Sequence, residues 1–139
     1  PAILAMGGNT GIQSSAIAVR GIALGYKAYS RLLSLAFREI IVGIAMGLTC
    51  GTLTTAFVWL GFFLTSAQTG GPSTIALGLT VGIAMCNAMI FATCFGAAFP
   101  LIIHRLGADP AVASGPFVTT SIDLAGALIY FVTCIILLV

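Results

Sequence analysis

Three stretches of this chain run uncharged, or nearly so, for longer than a bilayer is thick. Residues 40–63 and 72–103 hold no Asp, Glu, Lys or Arg, and residues 110–139 hold only Asp123. About 20 apolar residues suffice to cross the hydrocarbon core as a helix. The rest of the composition agrees. Of 139 residues, five are Lys or Arg, three are Asp or Glu, and 6% are charged in total, against about a quarter in a soluble domain. Mean hydropathy is +1.19. The sequence therefore reads as an all-α, polytopic membrane helical bundle forming one domain, in an inner or plasma membrane.

Four segments are expected to be transmembrane helices: A (residues 1–24), B (40–64), C (73–101) and D (110–139). Segment A is the least uniform, since "MGGNTGIQSSAIAVRG" places glycines, Asn9, Gln13 and two serines among apolar residues. It lacks the basic leader of a signal peptide, and its basic residues follow it. Residues 28–39 are expected to lie along the interface as a short amphipathic helix, with Leu32, Leu35, Ala36 and Ile40 on one face. The chain opens on Pro1 without a Met, so it is read as part of a longer protein. Cys50, Cys86, Cys94 and Cys134 lie inside apolar segments without metal-type spacing and are read as buried free thiols.

The connectors differ in charge. Arg20, Lys27, Arg31, Arg38 and Glu39 lie at the end of A and between A and B, and His104, Arg105 and Asp109 between C and D; "TSAQTGGPS" between B and C has none. The positive-inside bias puts the first and third connectors in the cytoplasm, and the start of A and the C-terminus outside. If the full protein begins in the cytoplasm, an odd number of helices precedes Pro1. Glycines at 43, 47 and 51, and at 78 and 82, recur at the spacing that lets membrane helices approach closely.

Asp123 is the one carboxylate placed deep in these segments, and such a group marks a functional site by default. Gly115, Thr119, Asp123 and Gly126 fall on one small, oxygen-bearing stripe of D. On A, Asn9, Gln13, Ala16 and Arg20 share a face, and Gly7, Gly8 and Gly11 leave main-chain carbonyls accessible. A and D are thus expected to border a polar path. Carboxylate, amide and carbonyl oxygens without His or Cys favour a hard cation, and Mg²⁺, which keeps its waters, suits a wide site with one Asp. A two-fold dimer would bring two such carboxylates together. An intramembrane hydrolase is disfavoured: "VASGP" lacks the first glycine of G-x-S-G, His104 sits in a basic connector, and one Asp makes no dyad. No nucleic-acid partner is expected.

"GGNTGIQSSAIAVRGIALG" (residues 7–25), "REIIVGIAMG" (38–47) and "DPAVASGPFVTTSIDLAGALIYF" (109–131) resemble the signature stretches of the MgtE magnesium channels and transporters. That resemblance implies a homodimer of five-helix subunits, with A to D as helices two to five and the first helix missing. It also implies, as partners, cytosolic Mg²⁺-sensing and CBS domains of the full-length chain, which are expected to lie outside these residues. It implies a pore in which Asp123 holds hydrated Mg²⁺, with further oxygens from around Gly8, Asn9, Gly11, Gly115, Thr119 and Gly126. Many relatives have Asn where this chain has Gly115, so only main chain can contribute there. Glu39 is expected at the cytoplasmic mouth, attracting cations or bridged to Arg38 or Lys27. Passive Mg²⁺ influx is the leading mechanism; a coupled Mg²⁺ carrier exchanging Na⁺ or H⁺ is the alternative, and a purely structural subunit is the remaining one.

Overall fold

The computed structural model describes residues 1–25, 28–65, 73–111 and 115–139, excepting the side chains of residues 28–33, 35 and 36. Four helices follow one another: α1 (Ala2–Ala23), α2 (Ala28–Thr65), α3 (Thr74–Arg105) and α4 (Pro116–Leu138). There is no strand among the described residues. Three helical stretches are long and apolar enough to cross a membrane: Phe37–Thr65, Thr74–Arg105 and Pro116–Leu138. Helix α1, at 22 residues, has the length but not the apolarity, because its glycines, amides and serines dilute it.

The helix ends follow from local chemistry. Helix α1 stops where Gly25 takes φ 74°, a left-handed turn that glycine adopts without a Cβ penalty. The N-terminus of α3 is capped by Ser73, whose Oγ accepts the Ala76 N–H at 3.2 Å. Helix α4 begins with Pro116 at its first turn, where a missing N–H costs nothing. Just before it, Gly115 sits at φ 84°.

Two segment boundaries differ from the sequence expectation. Residues 28–39 and 40–64 form one continuous helix rather than an interfacial piece and a separate span. No glycine or proline occurs between Ala28 and Val42 to break it. The apolar face expected on Leu32, Leu35 and Ala36 falls on side chains outside the described residues. In segment D residues 110 and 111 form a turn rather than helix, and α4 starts at Pro116, which biases Gly115 away from helical backbone. Asp123 therefore lies about 10 Å from the start of α4, at about 1.5 Å per residue, rather than the deeper position counted from residue 110. Helix α3 continues through Pro100 to Arg105, although proline leaves the Gly96 carbonyl without its intrahelical donor.

Helix α3 is the centre of the bundle: α2, α1 and α4 all pack on it, while α1 and α2 scarcely touch. Its buried residues are mostly small or unbranched, with Ala84, Met85, Ala88, Met89 and Ala92 almost fully enclosed. Against α2 the approach is glycine-mediated. A methyl group on Gly51 would lie 2.7 Å from the Gly82 carbonyl oxygen, and one on Gly47 2.9 Å from Cys86 Cα. Lipid gives helices no hydrophobic reason to associate, so such close backbone contact and polar ties must hold them. Thr55 supplies one tie, donating to the Gly78 carbonyl at 2.9 Å. The outer faces of α2 and α4 expose Leu53, Phe57, Trp59 and Phe63, and Leu124, Leu128, Phe131 and Ile135, a surface suited to lipid.

Candidate functional site

The seam between α1 and α4 is where chemistry gathers. Helices α1 and α4 run in opposite senses: Gly8 meets Thr119 and Asp123, and Gly126 meets Leu4. Gly8 is buried, Asp123 half-buried. A methyl group on Gly8 would lie 3.2 Å from Asp123 Oδ1 and 3.2 Å from Thr119 Cγ2. The absent side chain thus leaves the room in which the carboxylate lies across the α1 backbone.

Thr119 donates its hydroxyl to the Gly115 carbonyl at 3.0 Å, and the same carbonyl accepts the Thr119 N–H at 3.0 Å. The Thr119 oxygen keeps lone pairs for a water or cation. Thr120 likewise donates to the Pro116 carbonyl at 2.8 Å. No hydrogen bond to the Asp123 carboxylate occurs among the described residues, so both its oxygens can accept from outside the chain.

On α1, Asn9, Gln13, Ala16 and Arg20 are all exposed, and they form the open face of that helix. The opposite face, Gly7, Thr10, Gly11, Ser14 and Ala18, is buried against the bundle. Two exposed amides on a helix packed against apolar spans call for water or another protein surface, because lipid cannot satisfy them. The polar stripe read from the sequence and the open side of the helix therefore coincide.

Of the residues singled out from sequence, Gly8, Thr119 and Asp123 come together. Asn9 follows Gly8 on the open side. Gly11 turns instead toward Ala92 and Ile122, allowing α1 to close on Gly96 of α3, and Gly126 turns toward Leu4. These two glycines serve packing in the single chain. Gly115 has nothing within 4 Å of where a Cβ would be, and its carbonyl is already taken by Thr119. Among the described residues no three His, Cys, Asp or Glu side chains converge to hold a bare metal ion. One chain offers one carboxylate, a hydroxyl and main-chain oxygen, a set better matched to an ion that keeps its water than to a stripped one.

Sequence reasoning missed where Glu39 goes. It is 6% exposed and accepts the Ser14 hydroxyl at 2.7 Å, instead of standing open at a mouth or pairing with the exposed Arg38; Lys27 lies outside the described residues. The four cysteines are free and half-buried.

The sequence is similar to those of known proteins. Residues 1–133 match the family model MgtE, described as a divalent cation transporter. The chain is similar to the magnesium transporter MgtE of Bacillus subtilis, 35% identical over 133 residues, covering 94% of this chain and 27% of the relative. It is 37% identical over 124 residues to that of Enterococcus faecalis, covering 89% and 25%. With that of Thermus thermophilus it shares 34% over 133 residues, covering 94% and 26%. The chain thus spans about a quarter of the length of these relatives.

Proposed function

Because the chain belongs to the MgtE family of divalent cation transporters, we propose that it forms the ion-conducting part of a magnesium channel, a multi-pass membrane protein acting as a homodimer. The observation that carries this reading is Asp123, half-buried on α4, lying over Gly8 of α1, beside an exposed polar strip of Asn9 and Gln13. Two copies facing each other through the open side of α1 cover that strip and bring two Asp123 carboxylates to one axis. Gly8, Asn9 and Thr119 belong to the same path, Thr119 through its free lone pairs; Gly11, Gly115 and Gly126, expected there from the sequence, hold the helices that carry it.

A hydrated Mg²⁺ between the carboxylates is held through its waters. A divalent ion about 5 Å from one carboxylate gains roughly 7 kcal/mol at an effective dielectric of about 20, before desolvation, and a monovalent ion gains half of that. Two fixed carboxylates therefore discriminate by charge, and site width discriminates by hydrated size. Flow is passive and driven by the membrane potential and gradient.

The orientation follows from charge. Arg20 ends α1, His104 and Arg105 end α3, and the two helices run in the same sense, Ile3 clustering with Ala84 and Met85 while Gly11 meets Gly96. Basic groups therefore gather at one end of the bundle, which we place in the cytoplasm, with the C-terminus outside. Cytosolic Mg²⁺-sensing and CBS domains of the full-length chain would gate this path.

The test is Asp123→Ala in cells that lack their own Mg²⁺ uptake. At equal expression the variant is expected to abolish growth at low Mg²⁺ while wild type rescues it. Rescue by both would sink the pore assignment.

A further inference from the structure

A second carboxylate lies behind the α1 wall, and the path described above does not use it. Glu39 of α2 is 6% exposed, Ser14 of α1 is 4% exposed, and the Ser14 hydroxyl donates to Glu39 Oε2 at 2.7 Å across 25 residues of sequence. A carboxyl group this buried is costly unless held by hydrogen bonds. Its place in the bundle shows what holding it accomplishes.

Helix α1 meets α3 and α4 mainly through small residues: Gly7 and Gly11 against Ala92 and Ile122, and Gly96 against Gly11. Such contacts hold the helices close, and the turn of α1 about its own axis is then kept by its buried face, Ile3, Thr10, Ser14, Ser15 and Ala18, and by the polar bonds that this face makes. The Thr10 hydroxyl reaches Met89 Sδ at 3.5 Å, and a thioether is a weak acceptor. Helices α1 and α2 scarcely touch otherwise. Among the described residues, Ser14 to Glu39 is the one side-chain hydrogen bond joining them.

Rotation of α1 is what the ion path depends on. At about 100° per residue, fixing Ser14 toward α2 turns Gln13 about 100° and Asn9 about 140° away, onto the open side, and leaves Gly8 beside Asp123. We propose that Glu39 is a positioning residue for ion conduction: through Ser14 it sets the rotation of α1, and with it the aim of Asn9 and Gln13 and the seat of Asp123 on Gly8. This rests on the reading of Asp123 as the ion-binding carboxylate.

The experiment has two readouts on the chain reconstituted in liposomes. The first is Mg²⁺ influx as a function of Mg²⁺ concentration. Glu39→Ala and Ser14→Ala are each expected to raise the half-saturating concentration about fivefold, the equivalent of one lost buried hydrogen bond. The double variant is no worse than the worse single one. Glu39→Gln keeps an acceptor oxygen and returns the value to within about twofold of wild type. The second readout is the rate at which a water-soluble maleimide labels Gln13→Cys after the four native cysteines are changed to alanine. Glu39→Ala and Ser14→Ala shift that rate severalfold, whereas Glu39→Gln does not.

Labelling unchanged by Glu39→Ala and Ser14→Ala overturns the proposal. So does Glu39→Gln failing as badly as Glu39→Ala while Ser14→Ala behaves as wild type, because charge rather than the hydrogen bond would then matter. Asp123→Ala is measured alongside. Wild-type influx from it would remove the underlying reading, and Gln13→Cys labelling would still decide whether Glu39 sets the rotation of α1.

Discussion

Two seams of this bundle use glycine at close helix approaches, and they use it for opposite ends. Between α2 and α3 glycine removes side chains so that backbones touch: Gly51 lies on the Gly82 carbonyl and Gly47 on Cys86 Cα. Between α1 and α4 it removes a side chain so that another can enter: the space above Gly8 holds the Asp123 carboxylate and Thr119. The first seam has no slack, because only backbone stands opposite. The second is lined by side chains that can shift and lies beside the polar, open face of α1. Small-residue spacing by itself thus says that helices come close; what lies opposite decides whether the closeness builds a scaffold or a site.

The comparison predicts different failures. The largest is Gly51→Leu. Even a methyl group there would lie 2.7 Å from the Gly82 oxygen, so a leucine forces α2 off α3 at a cost of about 3 kcal/mol or more. Loss of folded, monodisperse protein in thermal melts in detergent is the expected result, and a normal melt would show the seam to be looser than described. Next comes Gly8→Val, which displaces Asp123 and Thr119 side chains rather than backbone. Mg²⁺ influx should fall about tenfold, equivalent to about 1.4 kcal/mol, with the melting temperature nearly unchanged. Destabilisation as severe as that of Gly51→Leu would erase the distinction between the seams. The smallest is Thr55→Ala, which removes the bond to the Gly78 carbonyl. It should cost about 0.6 kcal/mol, in line with interhelical hydrogen bonds in membranes, and leave influx untouched.

Much of this was legible in the sequence. Charge-free runs announce the three apolar helices, and the lone Asp123 with the amides of α1 announces a polar level shared by two helices. Periodicity separates the faces of α1 correctly, since Asn9, Gln13, Ala16 and Arg20 are all on its open side. Other features lay beyond it. A glycine carries no directional signal, so nothing in the spacing tells that Gly8 lies under Asp123 while Gly11 closes on α3 and Gly126 on Leu4. The join of residues 28–39 to the following span was hidden because Arg31 and Arg38 make a helix entering the membrane look amphipathic. The Ser14 to Glu39 bond links residues 25 apart on two helices that barely meet. Only the three-dimensional arrangement around α3 brings them together.

The central claim is that Asp123 holds a hydrated Mg²⁺ on a dimer axis. A structure of the reconstituted protein determined in Mg²⁺ tests it most directly. The account predicts an ion on a two-fold axis between two Asp123 carboxylates, with a shell of waters about 2.1 Å from the metal and Asn9 and Gln13 turned toward the same passage. A dimer whose Asp123 residues face away from each other, or an ion bound elsewhere with the space over Gly8 closed to water, would contradict it.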